Sequence, residues 1–104
     1  MELNDIKKLA AALSQEFESK NDPYKALASV IEEIGEVASD MNKVLKFGAK
    51  VYQRKESNTK KLQEELGDLL LSVFYLANVL GIDLEKEMNE KYLRLKKRFS
   101  LDIE

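Results

Sequence analysis

The sequence predicts an all-α fold, and three observations lead to this prediction. Apolar residues recur at intervals of three and four along most of the 104 residues, as on one face of an α-helix. No segment alternates apolar and polar residues with the period of two that is typical of a half-buried strand. Residues that cap or end helices divide the chain at Asp22-Pro23, at Gly48 and at Gly81. Four helices with short connections favour an up-and-down four-helix bundle.

The predicted helices cover residues 3–20, 23–47, 59–80 and 83–99. Pro23 is favoured in the first helical turn after an Asp cap, so Asp22-Pro23 ends one helix region and starts the next. Gly48 and Gly81 follow the last residues of two helical patterns, where a left-handed glycine commonly ends a helix. Residues 49–58 are polar and lack helical periodicity, which predicts a loop, either a solvated linker or a lid over a substrate.

Length and composition exclude several classes of protein. A chain of 104 residues has the size of one domain, so residues 1–104 are assigned to a single domain. The chain contains no Cys and no His, which excludes disulfides, thiolate metal sites and imidazole catalysis. The net charge of −2 does not suggest a nucleic-acid surface, and no apolar run approaches membrane-spanning length. We therefore expect a cytoplasmic protein that binds neither nucleic acid nor membranes.

Two stretches of six residues are nearly identical and lie 32 positions apart. They are Glu32-Glu33-Ile34-Gly35-Glu36-Val37 and Glu64-Glu65-Leu66-Gly67-Asp68-Leu69. Each lies in the middle of a predicted helix and each contains a glycine, which costs roughly 1 kcal/mol relative to Ala in a helix. We therefore expect the two helices to approach each other closely at these glycines.

The carboxylates of the two stretches are spaced for one shared site. Glu33 and Glu36 lie three residues apart on one helix, as do Glu65 and Asp68 on the other, so each pair projects from one helix face. From Ala26 to Asn42 the chain has four acidic residues and no Lys or Arg. Four carboxylates that converge need a cation among them. Oxygen ligands alone favour a hard cation, which is Mg²⁺, Mn²⁺ or Ca²⁺. We predict Mg²⁺, with Mn²⁺ as the next choice, because Mg²⁺ is commonly shared with substrate phosphates.

The last helix carries a row of basic residues. Lys91, Arg94 and Arg98 recur at i, i+3 and i+7. Such a row could supply positive charge to phosphate oxygens, or it could be an ordinary solvated face of a terminal helix. The sequence alone leaves both interpretations open.

Apolar residues cover more of the second and third helices than a single packing face needs. On the second helix they form one stripe: Leu27, Val30, Ile31, Ile34, Ala38, Met41 and Leu45. On the third they form a wide core face: Leu62, Leu66, Leu69, Leu70, Val73, Phe74, Ala77 and Leu80. A surface this wide implies a helix buried on two sides, in a bundle or at a subunit interface. We therefore expect the chain to form an oligomer.

The pattern Glu32-Glu33-x-x-Glu36, followed by Glu65-x-x-Asp68, resembles the signature of the MazG-like, all-α nucleoside triphosphate pyrophosphohydrolases. The resemblance covers most of the chain, up to Phe99, as one copy of the domain. It implies a four-helix core, Mg²⁺ dependence and a homodimer or homotetramer. It also implies hydrolysis of nucleoside triphosphates, including non-standard ones, to the monophosphate and pyrophosphate, in a house-cleaning role.

Carried over by position, the resemblance implies roles for individual residues. Glu33, Glu36, Glu65 and Asp68 would be the metal ligands. Glu32 would act with Glu33 as a catalytic group that orients or deprotonates the attacking water, which the metal activates. The family's Asn-x-Lys pattern in the last helix matches Asn89-Glu90-Lys91, so the implied phosphate-binding residues are Asn89, Lys91, Arg94 and Arg98. The aromatic residues that precede the motif in the family are reduced here to Tyr24, which leaves base recognition unassigned.

Two alternatives to this function remain at this point. Related dimeric enzymes that act on dUTP or dCTP, and the phosphoribosyl-ATP pyrophosphohydrolases, share the same chemistry. From a different class, the chain could be a non-catalytic helical interaction module whose acidic cluster holds a structural cation.

Overall fold

The computed structural model describes residues 1–16, 22–45 and 59–104, and these residues form four α-helices. The helices are α1 (Leu3–Glu16), α2 (Pro23–Leu45), α3 (Thr59–Val79) and α4 (Leu84–Arg98). The predicted all-α class is confirmed, and the described residues include no strand. Three predictions lie outside the described residues: the end of the first helix at 17–20, the end of the second helix at Gly48, and the loop at 49–58.

The helix boundaries follow the capping residues of the sequence. The side chain of Asp22 accepts hydrogen bonds from the backbone N–H groups of Tyr24 and Lys25, which satisfies donors at the start of α2. Asp83 caps α4 in the same way and accepts from the N–H of Lys86. Gly81 follows α3 with a φ of +69°, a left-handed conformation that L side chains rarely adopt. The predicted restart at Pro23 and the predicted end at Gly81 are therefore confirmed.

Helix α3 is central, because it packs along α2 on one side and against α1 on the other. Its buried residues Phe74, Tyr75 and Ala77 form the core together with small residues of the neighbouring helices. At the α1 contact, Asn78 Nδ2 donates a 3.1 Å hydrogen bond to the buried Ser14 Oγ. The antiparallel passage of α2 and α3 brings the two acidic stretches to the same level.

Helix α4 leaves this group of helices at an angle. The chain bends by 113° between α3 and α4, and α4 then packs against α1. An ion pair of 3.1 Å between Lys7 Nζ and Asp83 Oδ1 connects α1 to the start of α4. None of the residues of α4 is buried. The radius of gyration is 16.8 Å, whereas a compact chain of about 100 residues has one of about 13 Å.

The apolar stripe of α2 lies mostly at the surface. Of its seven residues only Val30 is buried, and α2 instead packs on α3 through Ala26, Val30, Val37 and Asp40. Ile31 retains 61% of its accessible surface, and Leu27, Ile34, Met41 and Leu45 are exposed as well. The α2 stripe is defined here as the exposed residues Leu27, Ile31, Ile34, Ala38, Met41 and Leu45. Within the described residues, this apolar surface of α2 is continuous and uncovered.

Within the described residues, no single helix is long and apolar enough to cross a membrane. The helices α3 and α4 reach that length and composition only when they are taken together across their 113° bend.

Candidate metal centre

The structure brings three of the four predicted metal ligands into one cluster. Glu33 and Glu36 project from α2, and Glu65 projects from the facing turn of α3. One carboxylate oxygen from each of these three residues lies within 4.8 Å of the others. Asp68 lies one turn beyond Glu65, lines the same cavity as Glu33 and raises the pKa of the Glu33 carboxyl by charge repulsion. We call Glu33, Glu36, Glu65 and Asp68 the acidic cluster.

Two oxygens of the acidic cluster are buried without a hydrogen-bond partner among the described residues. They are Glu33 Oε2 and Glu65 Oε2. A buried oxygen of an ionised carboxylate is costly unless a charge or a donor compensates it. The ligand atoms that cluster here are carboxylate oxygens from two helices, so the residues fit a hard divalent cation such as Mg²⁺.

The cluster also perturbs the proton affinity of its own members. Burial raises the pKa of the Glu33 carboxyl above its ordinary value, and the charges of Glu36, Asp68 and Glu32 add to this effect. A hydrogen bond with the side chain of Glu36 is the main cause that raises the pKa of Glu65 to about 7, and burial raises it further. Without a cation, therefore, the Glu65 carboxyl holds a proton up to nearly neutral pH.

This perturbation predicts a pH-dependent stability for the metal-free protein. Between the unfolded pKa of 4.5 and the folded pKa of about 7, the folded chain binds more protons at Glu65 than the unfolded chain does. Its contribution to stability is therefore complete below pH 4.5 and is lost as the pH rises through 7. In a chelating buffer we expect the melting temperature, followed by circular dichroism, to fall from pH 5 to pH 8.

The substitution Glu65→Gln should reduce this slope, because the amide does not titrate, and the raised pKa of Glu33 accounts for a remaining part. Glu64→Gln changes the neighbouring exposed carboxylate and is the matched control, which should keep the slope of the unaltered protein. A melting temperature that rises with pH over this window in the unaltered protein would contradict the prediction.

Two cavities flank the acidic cluster at opposite ends. The larger one, about 380 Å³, contains Glu33 and Asp68 in its wall. Its other lining residues are Leu13, Lys25, Ala26, Ser29, Leu71, Ser72 and Tyr75. The smaller one, about 260 Å³, contains Glu36 and Glu65, and its other lining residues are Ser39, Asp40, Lys43 and Lys61. The cluster thus lies between a partly apolar cavity and a cavity with two lysines.

The lysines of the smaller cavity were not found from the sequence. Asp40 is only 3% exposed, and its Oδ1 lies 4.0 Å from Lys43 Nζ and 3.8 Å from Lys61 Nζ. Lys61 lies one turn before Glu65 on α3, but the structure pairs it with Asp40 across the helix interface. Lys43 lies three residues after Asp40, and this spacing was the available signal for a local ion pair.

The remaining predicted site residues lie apart from the cluster or at its edge. Glu32 is exposed and acts on Glu33 only through its charge. The four predicted phosphate-binding residues lie on α4, and none of them lines either of the two flanking cavities. They are Asn89, Lys91, Arg94 and Arg98. Lys91 Nζ forms an ion pair of 3.4 Å with Glu87 on its own helix, and the Arg98 guanidinium lies 5.2 Å from the centre of the Phe99 ring. In the part of the chain that the structure describes, the basic row therefore shares neither of these cavities with the acidic cluster.

The prediction of close helix contact at the two glycines is wrong. A Cβ atom built on Gly35 or Gly67 would meet no atom of the described residues within 4 Å. Both positions are exposed, so neither glycine is required by the packing of α2 on α3. The close approach occurs instead through Ala26, Val30 and Val37, on a different face of α2.

The two longest helices of this all-α chain face each other and bring carboxylates together. The fold and the site therefore place the chain among helical proteins with an acidic site that can bind a cation. Residues 22–99 match the family model of the MazG nucleotide pyrophosphohydrolase domain. The match covers all of α2, α3 and α4, and the chain belongs to this family.

The chain is also similar to a curated protein, "Uncharacterized protein YpjD" of Bacillus subtilis (strain 168). The two are 38% identical over 64 residues, which is 62% of this chain and 55% of the relative. The aligned region thus spans little more than half the length of the relative. No solved structure matches the chain.

Proposed function

We propose that the protein hydrolyses nucleoside triphosphates, including non-standard ones, to the monophosphate and pyrophosphate in a Mg²⁺-dependent reaction. The observation that carries this proposal is the convergence of Glu33, Glu36 and Glu65 within 4.8 Å in a chain of the MazG family. We further propose that residues 1–104 act as one domain and that the protein works in the cytoplasm.

In this proposal the carboxylates of the acidic cluster hold the ion. When bound, Mg²⁺ offsets the charge of the phosphates and lowers the pKa of a water molecule. Glu32 and Glu33 then orient the water and accept its proton. The water oxygen bonds to a phosphorus of the α–β anhydride, and the bond from that phosphorus to the bridging oxygen breaks. The predicted phosphate contacts on α4 stay part of the proposal: Asn89, Lys91, Arg94 and Arg98. Because they line neither cavity beside the acidic cluster, α4 of another subunit in an oligomer would have to supply them.

We propose a homo-oligomer, with a homodimer as its smallest closed form. The residues of the α2 stripe are spaced alternately by four and three positions, which is the spacing of a helix seam that packs on another helix. The stripe is exposed, and the radius of gyration of 16.8 Å reflects helices that a single chain leaves partly uncovered. A second copy offers the same apolar spacing, so two stripes can cover each other around a two-fold axis.

The function is tested by a screen of nucleotides with Mg²⁺ that measures inorganic pyrophosphate and inorganic phosphate separately. The panel includes the standard triphosphates, oxidised and deaminated ones, dUTP, dCTP and phosphoribosyl-ATP. We expect at least one of them to release pyrophosphate, and we expect a chelator to stop the release. Release of phosphate instead, or no turnover of any nucleotide, would reject the proposal.

A further inference from the structure

Among the described residues, Asp40 is the most deeply buried charged residue, with 3% of its surface accessible. A carboxylate in the protein interior is costly unless opposite charges compensate it. Its Oδ1 lies 4.0 Å from Lys43 Nζ and 3.8 Å from Lys61 Nζ. Asp40 is therefore compensated by one ammonium group from its own helix and by one from α3.

The ion pair between Asp40 and Lys61 lies one helical turn from the acidic cluster. On α2, Asp40 follows Glu36 by four residues, and on α3, Lys61 precedes Glu65 by four residues. All four residues line the smaller cavity, of about 260 Å³. Because a hydrogen bond joins the side chains of Glu36 and Glu65, a contact between opposite charges lies beside a contact between two carboxylates.

Lys61 has a second acidic neighbour, Glu65, on its own helix. Residues four positions apart are adjacent on a helix surface, and a Lys and a Glu at this spacing attract each other. An ammonium group on Glu65 would occupy the oxygens that a divalent cation needs. The side chain of Lys61 is 55% exposed, so the packing alone does not prevent this exchange of partners. The contact with Asp40 directs the ammonium group to α2 instead.

We propose that Asp40 is a positioning residue for the metal centre, which holds the ammonium group of Lys61 away from Glu65 and so keeps the carboxylates of the acidic cluster available to a cation. This inference rests on the proposed function, because it requires that the cluster binds Mg²⁺. Asp40 acts through Lys61 and is not itself a ligand of the ion. Lys43 supplies the second positive charge that compensates the buried carboxylate.

The test is a double-mutant cycle in which isothermal titration calorimetry measures Mg²⁺ binding to the intact protein without nucleotide. Asp40→Asn keeps the size of the side chain and should weaken Mg²⁺ binding roughly 10-fold, because Lys61 then pairs with Glu65. Lys61→Gln alone should change the affinity by no more than about 2-fold, since Asp40 already engages this charge. In the Asp40→Asn background, Lys61→Gln should restore most of the lost affinity. The two substitutions should therefore be non-additive.

Lys60→Gln removes the neighbouring exposed lysine and is the matched control. Combined with Asp40→Asn, it changes the net charge as Lys61→Gln does, but it should restore no Mg²⁺ affinity. Asp40→Glu keeps the charge and should bind Mg²⁺ like the unaltered protein. Melting curves in a chelating buffer show whether the variants fold, and Asp40→Ser replaces Asp40→Asn in the cycle if the latter does not fold.

Equal Mg²⁺ affinity in Asp40→Asn and the unaltered protein, additive effects in the cycle, or rescue by Lys60→Gln would overturn the positioning role. Absence of Mg²⁺ binding to the unaltered protein would overturn it as well. If the cycle is non-additive but no nucleotide is hydrolysed, the positioning role stands and the proposed function fails. If Mg²⁺-dependent pyrophosphate release occurs but the cycle is additive, the proposed function stands and the positioning role fails.

Discussion

Replacement of Glu36 by Gln should lower kcat/KM for nucleotide hydrolysis by roughly 10³-fold, because a cation in an active site supplies several kcal/mol of transition-state stabilisation. Glu36 connects the cluster, since its side chain forms hydrogen bonds with both Glu33 and Glu65. The amide keeps the size of the side chain but removes the charge that holds the ion. Asp68→Asn should act in the same direction at the other end of the cluster. The measurement is the rate of pyrophosphate release under saturating Mg²⁺.

The control for this prediction is Glu64→Gln, which removes an equal charge from an exposed position on α3 and should keep full activity. Melting curves in a chelating buffer show whether the variants fold. We expect Glu36→Gln to melt at or above the temperature of the unaltered protein, because repulsion with Glu33 is reduced. Full activity in Glu36→Gln would exclude the cluster as the catalytic centre. If the unaltered protein turns over no nucleotide, the alternative of a non-catalytic interaction module is favoured.

Replacement of Ile31 by Glu should convert the proposed homodimer into a monomer. Ile31 is the most exposed large residue of the α2 stripe, with 61% of its surface accessible. A buried carboxylate at a helix–helix seam loses its hydration without gaining a partner, so the dissociation constant should rise by roughly 100-fold or more. Sedimentation equilibrium over a range of protein concentrations measures this change directly.

Ala28→Glu places the same charge on an exposed position of α2 beside the stripe and should leave the association unchanged. Circular dichroism should show that both variants keep their helical content, because neither residue is in the core of the single chain. If the unaltered protein sediments as a monomer at all concentrations, then the apolar stripe does not serve self-association.

The helices and their caps were predictable because each depends on residues close in sequence. Asp22, Asp83 and Gly81 act within one helical turn, and the spacing of three residues alone places Glu33 beside Glu36. The convergence of α2 with α3 was predictable only because the same acidic pattern occurs twice.

The contacts between helices were less predictable, since periodicity gives the faces of a helix but not the face that packs. On α2 the apolar stripe was the obvious candidate for the core, yet Val37 and the polar Asp40 are buried while Ile31 is exposed. The pairing of Lys61 with Asp40 joins residues 21 positions apart, and nothing in the local sequence of either helix indicates it. Nothing in the sequence around Gly35 and Gly67 indicates that both glycines face open space.

The buried oxygens of Glu33 and Glu65 have a consequence beyond catalysis. A ligand that binds only the folded chain adds to the free energy of unfolding a term that grows with the logarithm of its concentration. If a divalent ion is what compensates these oxygens, the amount of folded protein in a cell depends on the supply of that ion. Scarcity of magnesium would then reduce both the abundance of the protein and the proposed hydrolysis. Part of any loss of activity would be due to degradation.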